Sequence, residues 1–171
     1  GMTATSTGEE DAFIVKYDTN GAFGWLRTLG GDGNDNPSSV AIDSAGNAVV
    51  VGSFSSTTNL GGQPLVSKGG DDVFVAKYSG SNGAHLLSKS FGTAAFESPS
   101  SVAVDMQDNI FLIGSYASPM DVGGPAPLPA NGPTTRLYVV KYSLAGAYLW
   151  AESFGDTAAV LGESIATNAA G

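Results

Sequence analysis

Apolar and polar residues alternate in a short run that occurs three times along the chain. The three copies are DAFIVKY at 11–17, DDVFVAKY at 71–78 and RLYVVKY at 136–142. Alternation with a period of two predicts a β-strand. We expect the first copy to face its neighbours with Phe13, Val15 and Tyr17, which alternate with Ile14 and Lys16.

Each copy is followed by a turn and a second apolar strand, which predicts a hairpin. The turns contain a glycine at a point where a tight hairpin needs a positive φ, namely Gly21, Gly83 and Gly146. One equivalent position of the second strand is large and apolar in every copy: Trp25, Leu87 and Trp150. We expect these large side chains to hold neighbouring units together.

A second kind of hairpin lies between the copies of the first. It reads SSVAIDSAGNAVVVGSF at 38–54 and SSVAVDMQDNIFLIGSY at 100–116. Asp43 or Asp105 ends its first strand, and a carboxylate there commonly accepts hydrogen bonds from backbone N–H groups of the turn. The following strand is almost wholly apolar, as is typical of strands buried on both faces. We therefore interpret these as inner strands.

The spacing of the hairpins indicates a repeat. Lys16, Lys77 and Lys141 are 61 and 64 residues apart. Four strands per repeat with two apolar faces are typical of a β-propeller blade, because such a sheet must be sandwiched between neighbours. A β-sandwich would also suit short strands, but it would not explain the repeated positions. We predict an all-β fold: a β-propeller arc of four-stranded antiparallel blades, with two complete blades and partial blades at both ends.

The predicted organisation assigns residues 1–10 to a tag remnant and loop, and residues 11–171 to propeller repeats. The repeats comprise an outer hairpin at 12–30, a blade at 38–92, a blade at 100–155 and a partial inner strand at 162–171. An arc leaves apolar faces and strand edges open, which favours association. We therefore expect either that the 171 residues are part of a larger propeller or that copies of the chain assemble. We hypothesise that the C-terminal strand of one chain joins the N-terminal hairpin of another, so that two chains close a ring of about six blades.

These motifs resemble the seven-bladed β-propeller repeat (SBBP) family of bacterial cell-surface and secreted proteins. The resemblance is carried by DAFIVKYDTNGAFGWLRTLGG at 11–31, SSVAIDSAGNAVVVGSF at 38–54 and NLGGQPLVSKGGDDVFVAKY at 59–78. It covers the chain from Asp11 to the end. The longer linker at 120–142 departs from the pattern by inserted Pro and Gly residues, and Arg136 replaces an acidic start. The resemblance implies a propeller and an extracellular or cell-surface location, but no reaction.

Composition agrees with many tight turns. The 171 residues include 24 glycines and 8 prolines, and 13% are charged. The formal net charge is −9 and no stretch concentrates Lys or Arg, so nucleic acid is an unexpected partner. Without cysteine the chain has no disulfide, thiolate zinc site or cysteine nucleophile.

Targeting signals are weak. No apolar run approaches the roughly 20 residues of a membrane span, so we expect no membrane insertion. The start GMTATSTGEE at 1–10 has neither the basic nor the apolar part of a signal peptide. Gly1 before Met2 resembles a tag-cleavage remnant.

The candidate chemical residues favour structural roles. His85, the only histidine, aligns with Phe23 and Tyr148, which indicates a packing position rather than a catalytic base. The loop GGDGNDNP at 30–37 carries four oxygen-bearing residues that could contribute to a calcium site: Asp32, Asn34, Asp35 and Asn36. It lacks the pattern of an EF-hand, and the equivalent stretches GTAAFESP at 92–99 and GDTAAVLG at 155–162 lack the cluster, so we favour a solvated turn.

The other repeated polar positions are interpreted in the same way. Asp43, Asp105 and Asn168 are expected to stabilise turns. Lys16, Lys77 and Lys141 could line an anion-attracting ring, but we favour strand lysines whose stems cover apolar surface and whose heads meet an acid. The pairs Gly61–Gly62 and Gly123–Gly124 lie in loops, and no acid pair for glycoside hydrolysis stands out.

No catalytic, cofactor-binding or metal-ligating residue is assigned from the sequence. The leading hypothesis is a non-enzymatic binding or scaffold module of an exported bacterial protein, with an unknown carbohydrate or protein ligand. The alternative is a propeller lyase or glycosidase whose site forms only in the complete ring.

Overall fold

The computed structural model describes residues 3–130, 134–156 and 158–168. Within them lie twelve β-strands and no helix, and hence no helix that could cross a membrane. The strands are β1 (Ala12–Tyr17), β2 (Phe23–Gly31), β3 (Asp35–Ile42), β4 (Ala48–Phe54), β5 (Thr57–Asn59), β6 (Leu65–Val66), β7 (Asp72–Tyr78), β8 (His85–Phe91), β9 (Ser98–Val104), β10 (Ile110–Tyr116), β11 (Arg136–Tyr142) and β12 (Tyr148–Phe154).

The strands form three four-stranded antiparallel sheets. The first has the order β1-β2-β5-β6, the second β3-β4-β7-β8 and the third β9-β10-β11-β12. In the second and third sheets, an Asp-turn hairpin fills the first two positions and a Lys-Tyr hairpin fills the last two. The predicted fold class is confirmed: the chain is all-β, with four-stranded antiparallel sheets in an open arrangement.

The second sheet is buried on both faces, because alternation along its strands divides its side chains between two cores. The core shared with the third sheet contains Val49, Val51 and Val75 together with Leu112 and Val140. The core shared with the first sheet contains Val50, Phe74 and Ala76 together with Trp25 and Leu29. Full burial of one such aliphatic or aromatic side chain stabilises the fold by about 1.5–3 kcal/mol. This explains why β4 and β7 are almost wholly apolar.

The linker between β4 and β7 extends the first sheet, which the sequence did not predict. Its strands β5 and β6 flank the Gly61–Gly62 turn, and β5 pairs with β2 through Gly30 with Asn59 and Gly31 with Thr58. The equivalent linker before β11 contains the corresponding antiparallel bridge, between Met120 and Leu128. Both linkers therefore fold back into a small hairpin.

The tyrosine of the Lys-Tyr motif fastens these linkers. Tyr78 Oη donates to the Leu60 carbonyl at 2.8 Å, and Tyr142 Oη donates to the Val122 carbonyl at 2.8 Å. All but the tips of these two phenols lie in the cores, so each side chain combines apolar burial with a satisfied hydroxyl. The repeated tyrosine is thus an anchor for the linker that precedes its own hairpin.

The prediction that Phe13, Val15 and Tyr17 of β1 face a neighbouring sheet requires a correction. Phe13 and Tyr17 are 60% and 57% exposed, so neither is buried against a neighbouring sheet. The face that packs on the second sheet carries Ala12 and Ile14. The alternating pattern correctly divides the β1 side chains between two faces of the sheet. Which face is buried depends on the side on which the neighbouring sheet lies. The described neighbour lies on the Ala12 side.

Residues 158–168 lie along the open face of the third sheet. The Val160 N–H donates to the Thr135 carbonyl at 3.0 Å, just as the Glu97 N–H donates to the Asp71 carbonyl at 2.9 Å. Val160 therefore occupies the position that Glu97 has immediately before β9, and the segment runs where a further first strand would lie.

The segment predicted as a partial inner strand, 162–171, is described up to residue 168. The Thr167 hydroxyl donates to the Val104 carbonyl at 2.7 Å, which ties the segment to the third sheet. No strand pairing is formed by 158–168 among the described residues. The reason is the sheet order, in which a first strand pairs only with a second strand. Residues 169–171 lie outside the described residues.

Candidate interaction surfaces

The lysine of the Lys-Tyr motif ties the two hairpins of a sheet together. In the second sheet, Lys77 Nζ lies 2.7 Å from Asp43 Oδ2. In the third sheet, Lys141 Nζ lies 3.0 Å from Asp105 Oδ2. The other carboxylate oxygen accepts hydrogen bonds from the turn, including the Asn47 N–H at 2.8 Å in the second sheet. The expected turn-stabilising role of Asp43 and Asp105 is confirmed.

Both aspartates are held as ions. Burial by itself raises the pKa of Asp43, but hydrogen bonds from Lys77 and Asn47 outweigh it, so the pKa lies below its usual value. Burial is outweighed in the same way at Asp105, where hydrogen bonds from Asn109 and others lower the pKa to about 2. Carboxylates with occupied oxygens and low pKa values are poor proton donors near neutral pH. These repeated acids are structural.

The first copy of the motif has a different environment. Lys16 forms no ion pair with any described residue, and its Nζ donates instead to the Gly80 carbonyl of the second sheet at 2.5 Å. The three lysines therefore do not form a ring of free cations. The interpretation that each lysine meets an acid is confirmed for Lys77 and Lys141 and is wrong for Lys16, because the first sheet contains no described Asp-turn hairpin.

An apolar groove, here called the β1 groove, runs between the free edge of β1 and strand β3. Residues 13–17 of β1 line one side, including Ile14 and Lys16 on the face towards the second sheet, and the exposed residues Val40 and Ile42 line the other. Two adjoining cavities of about 370 and 300 Å³ follow it. In the second and third sheets, the corresponding space is filled by an Asp-turn hairpin. The groove is thus an apolar opening at the place where the first sheet has no Asp-turn hairpin among the described residues.

Large residues of the second hairpin strand pack on the next hairpin turn, as expected. Trp25 is 6% exposed, its ring lies against Gly83, and its Nε1–H donates to the Gly80 carbonyl at 3.2 Å. Leu87 lies against Gly146 in the same manner. A side chain at either glycine would lie within 2.8 Å of the large residue, so both turns need glycine for close approach as well as for their positive φ.

The corresponding large residue of the third sheet and the corresponding turn glycine of the first sheet each lack such a contact among the described residues. Trp150 is 40% exposed, with its ring edge-to-face against Phe111 at a centroid distance of 5.9 Å. The turn glycine of the first hairpin, Gly21, has no described atom within 4 Å of the place where a Cβ would lie. The chain therefore presents a large apolar side chain on one open face and an uncovered turn on the other.

The ends of the first strands form a second opening, here called the turn cavity. Its volume is about 440 Å³, and equivalent positions of three successive units line it: Ile42, Asp43 and Ser44, then Val104, Asp105 and Met106, then Thr167 and Asn168. Ser44 is linked across it to Asp108, whose carboxylate accepts from the Ser44 N–H at 2.8 Å and from its hydroxyl at 2.7 Å. The cavity combines exposed apolar side chains with backbone-bound acids.

His85 is a packing residue, as expected. Its Nε2 lies 2.9 Å from Ser88 Oγ, and its ring stands edge-to-face to Tyr78 at a centroid distance of 6.1 Å. Gly61 and Gly62 lie against the same ring, and a Cβ at Gly62 would come within 2.7 Å of it. The histidine thus fills the space between the linker turn and β8.

The acidic loop at 30–37 is less solvated than predicted. Asp32 and Asn36 are exposed, but Asp35 is 2% exposed and begins β3. Its N–H donates to the Glu10 carbonyl at 2.6 Å, and its Oδ2 accepts from the Gly31 N–H at 3.0 Å. These bonds draw Asp35 into the boundary between two sheets. Among the described residues, no three His, Asp or Glu side chains gather in a metal-binding group.

Sequence reasoning missed a set of acids at the sheet boundaries. Asp35, Asp72 and Glu97 are all nearly fully buried, and Asp11 lies beside Asp35. A recurring acid before each of the first two Lys-Tyr strands was the available signal. Burial raises the pKa of Asp72, and the neighbouring charge of Glu97 adds to this. These acids differ from Asp43 and Asp105, since none of them forms a salt bridge with a described residue; Lys68 contacts Asp72 through its backbone N–H, at 3.2 Å.

Comparison with known proteins adds one relative. No protein-family model matches this chain. The chain is similar to an uncharacterized WD repeat-containing protein, L264, of Acanthamoeba polyphaga mimivirus, with 29% identity over 171 aligned positions. The alignment covers 89% of this chain and 12% of that relative, so the chain spans only a small part of the relative's length. WD repeats build β-propellers, and the similarity supports a β-propeller type of repeat for this chain.

Proposed function

We propose that this chain is a non-enzymatic propeller module that acts as a binding scaffold. Two kinds of observation support this. The ionisable residues that recur in the repeats form ion pairs, Lys77 with Asp43 and Lys141 with Asp105. The His85 side chain packs against Ser88. The similar WD repeat-containing protein carries a repeat type that often serves protein interactions. The exposed features that remain are apolar surfaces suited to binding.

The β1 groove is the observation that carries the proposal. It combines a free strand edge, exposed aromatic residues and a lysine without an acid. In the two sheets where the same positions are filled, the occupant is an Asp-turn hairpin whose carboxylate meets the lysine. The proposed occupant of the groove is therefore a hairpin of this same type, which would offer an aspartate to Lys16.

Self-association is the second part of the proposal. Residues 162–168 correspond to the first strand of a sheet, and β1 corresponds to the third. In the second and third sheets these two positions are separated by the second strand, so 162–168 of one copy would not pair directly with β1 of another. The contact proposed between copies is instead face to face, as between neighbouring sheets. Trp150 of one copy would cover Gly21 of another, as Trp25 covers Gly83 within the chain. Two copies joined in this way would close a ring of about six sheets.

Sedimentation velocity over a wide concentration range tests the association. We expect a doubling of mass that is lost in Trp150→Ala. Leu149→Ala is the matched control, because Leu149 is an equally exposed apolar neighbour whose side chain points to the other face of β12. A well-folded monomer at all concentrations, or an equal effect of the two variants, would contradict the face-to-face contact.

An exported, cell-surface role in a bacterium is also proposed, and it rests on the motif resemblance. A polysaccharide and peptide array tests binding against catalysis. Retention of a carbohydrate or protein without products supports the scaffold role. Cleaved or eliminated products would instead favour the lyase or glycosidase alternative.

A further inference from the structure

Three buried side-chain oxygens without a hydrogen-bond partner belong to residues at the boundary between the first and second sheets. They are Asp11 Oδ1, Asp35 Oδ1 and Thr58 Oγ1. Asp35 and Thr58 are almost completely buried. An unsatisfied hydroxyl or carboxylate oxygen is unfavourable in a protein interior. The Thr58 hydroxyl is a neighbour of Asp35 and can donate to it, so the two carboxylates are the groups that lack a partner, and a cation would satisfy both.

The three side chains surround the dipeptide Gly30–Gly31. A Cβ at Gly30 would lie 2.4 Å from Asp11 Oδ1, so this side chain rests directly on the glycine. Asp35 Oδ2 accepts from the Gly31 N–H at 3.0 Å. Thr58 is the strand partner of Gly31. Asp11 immediately before β1, Asp35 at the start of β3 and Thr58 in the linker strand β5 are thus all neighbours of one dipeptide of β2.

The electrostatics of this place are unfavourable without a cation. Each aspartate has one oxygen bonded to a backbone N–H, that of Thr7 for Asp11 at 2.8 Å and that of Gly31 for Asp35. Neither forms a salt bridge with a described residue.

We propose that Asp11, Asp35 and Thr58 form a Ca²⁺ site that joins the first sheet to the second. Ca²⁺ takes 6–8 oxygen ligands in flexible geometry, and carboxylates, hydroxyls, backbone carbonyls and water all serve. A surface cleft of about 420 Å³ adjoins the site and is lined by Asp11, Gly30 and Gly31, but not by the buried Asp35 and Thr58. An ion that enters from the cleft would meet Asp11 first.

The corresponding boundary between the second and third sheets is an internal control. Met120 stands there in place of Thr58, and the acids are Asp72 and Glu97. Glu97 has both oxygens bonded to Thr93, at 2.7 Å from its N–H and 2.7 Å from its hydroxyl. The oxygens without a partner at this boundary are Asp72 Oδ1 and the Tyr138 hydroxyl. The second boundary therefore has only one free carboxylate oxygen, and one ion per chain is expected.

Calorimetric titration of the chelator-treated chain with Ca²⁺, together with thermal unfolding, tests the site. We expect one ion per chain and a melting temperature that rises with Ca²⁺. Thr58→Val removes one ligand at nearly constant volume and should weaken binding about tenfold or more. Asp35→Asn should abolish it. Asp72→Asn is the matched control and should leave affinity unchanged.

Three results would overturn the proposal. One is a wild-type chain that shows neither heat nor a melting shift with millimolar Ca²⁺, which would mean that the two aspartates share a proton instead. Another is Ca²⁺ binding that survives both Thr58→Val and Asp35→Asn. The third is a response to Mg²⁺ that Ca²⁺ does not reproduce. If Asp35→Asn does not fold, Thr58→Val and Asp11→Asn give the same test.

Discussion

The same dipeptide, Lys-Tyr, has opposite environments in the first and second sheets. Lys77 is 4% exposed and paired with Asp43, and Tyr78 is buried beneath the linker. Lys16 and Tyr17 occupy identical positions in β1, yet both are exposed. The difference lies in the neighbours, since β7 pairs with β4 whereas β1 pairs only with β2 among the described strands. The dipeptide is stabilising only when an Asp-turn hairpin and a linker cover it.

The sharpest test of this comparison is to remove the lysine head group in both sheets. Lys77→Met leaves Asp43 buried without its counter-ion, and losing one partner of a buried pair costs about 3–5 kcal/mol. Lys16→Met removes only the hydrogen bond of an exposed side chain to the Gly80 carbonyl, so it should cost less, about 0.5–1.5 kcal/mol. Urea unfolding of the two variants measures both. Equal losses would show that the position, and not its partner, determines stability.

A smaller effect is expected at the acid, and it depends on pH. Asp105→Asn should cost about 1.5–3 kcal/mol at pH 6, the usual range for hydrogen bonds to a charged group. The pKa of Asp105 is lowered from 3.8 to about 2 in the folded chain, so its ionised form stabilises the fold above pH 4. That contribution is lost as the pH falls towards 2.

Urea unfolding of the wild type and Asp105→Asn at several pH values checks this window. The two stabilities should converge between about pH 4 and pH 2. A difference that stays constant over this range would mean that the carboxylate charge contributes nothing.

The smallest effect concerns the hydroxyl of the tyrosine. Tyr78→Phe keeps the buried ring but removes the hydrogen bond to the Leu60 carbonyl, which should cost about 0.5–1.5 kcal/mol. Tyr17→Phe should have no measurable effect, because the Tyr17 side chain is mostly exposed. Thermal unfolding of both variants gives the comparison. If an occupant of the β1 groove is added, a cost at Tyr17 should appear as well.

Much of the sheet architecture could be predicted, because its causes are local and repeated. Alternation locates each strand, the turn glycines fix the hairpins, and a period of about 60 residues indicates stacked sheets. The alignment of the repeats also predicted that Trp25, Leu87 and Trp150 occupy equivalent positions. Each of these features depends on residues close together in the sequence or on copies of the same motif.

The remaining features depend on contacts between distant residues. Strand β5 has only three residues, which is too short for an alternation signal, so its pairing with β2 was not foreseen. The burial of Asp35 arises because Glu10 and Gly31 hold it between two sheets. A loop composition rich in oxygen predicts solvent exposure, and only the fold reveals that one of its acids faces inward.

The pairing of β5 with β2 also has a consequence for how the chain is made. β2 ends at Gly31, but the segment that covers its edge lies at 57–66, after β3 and β4. A chain emerging from the ribosome from its N-terminus therefore exposes the edge of β2 until the first hairpin of the next sheet has already appeared. In the order of synthesis, completion of the first sheet waits for the second to begin.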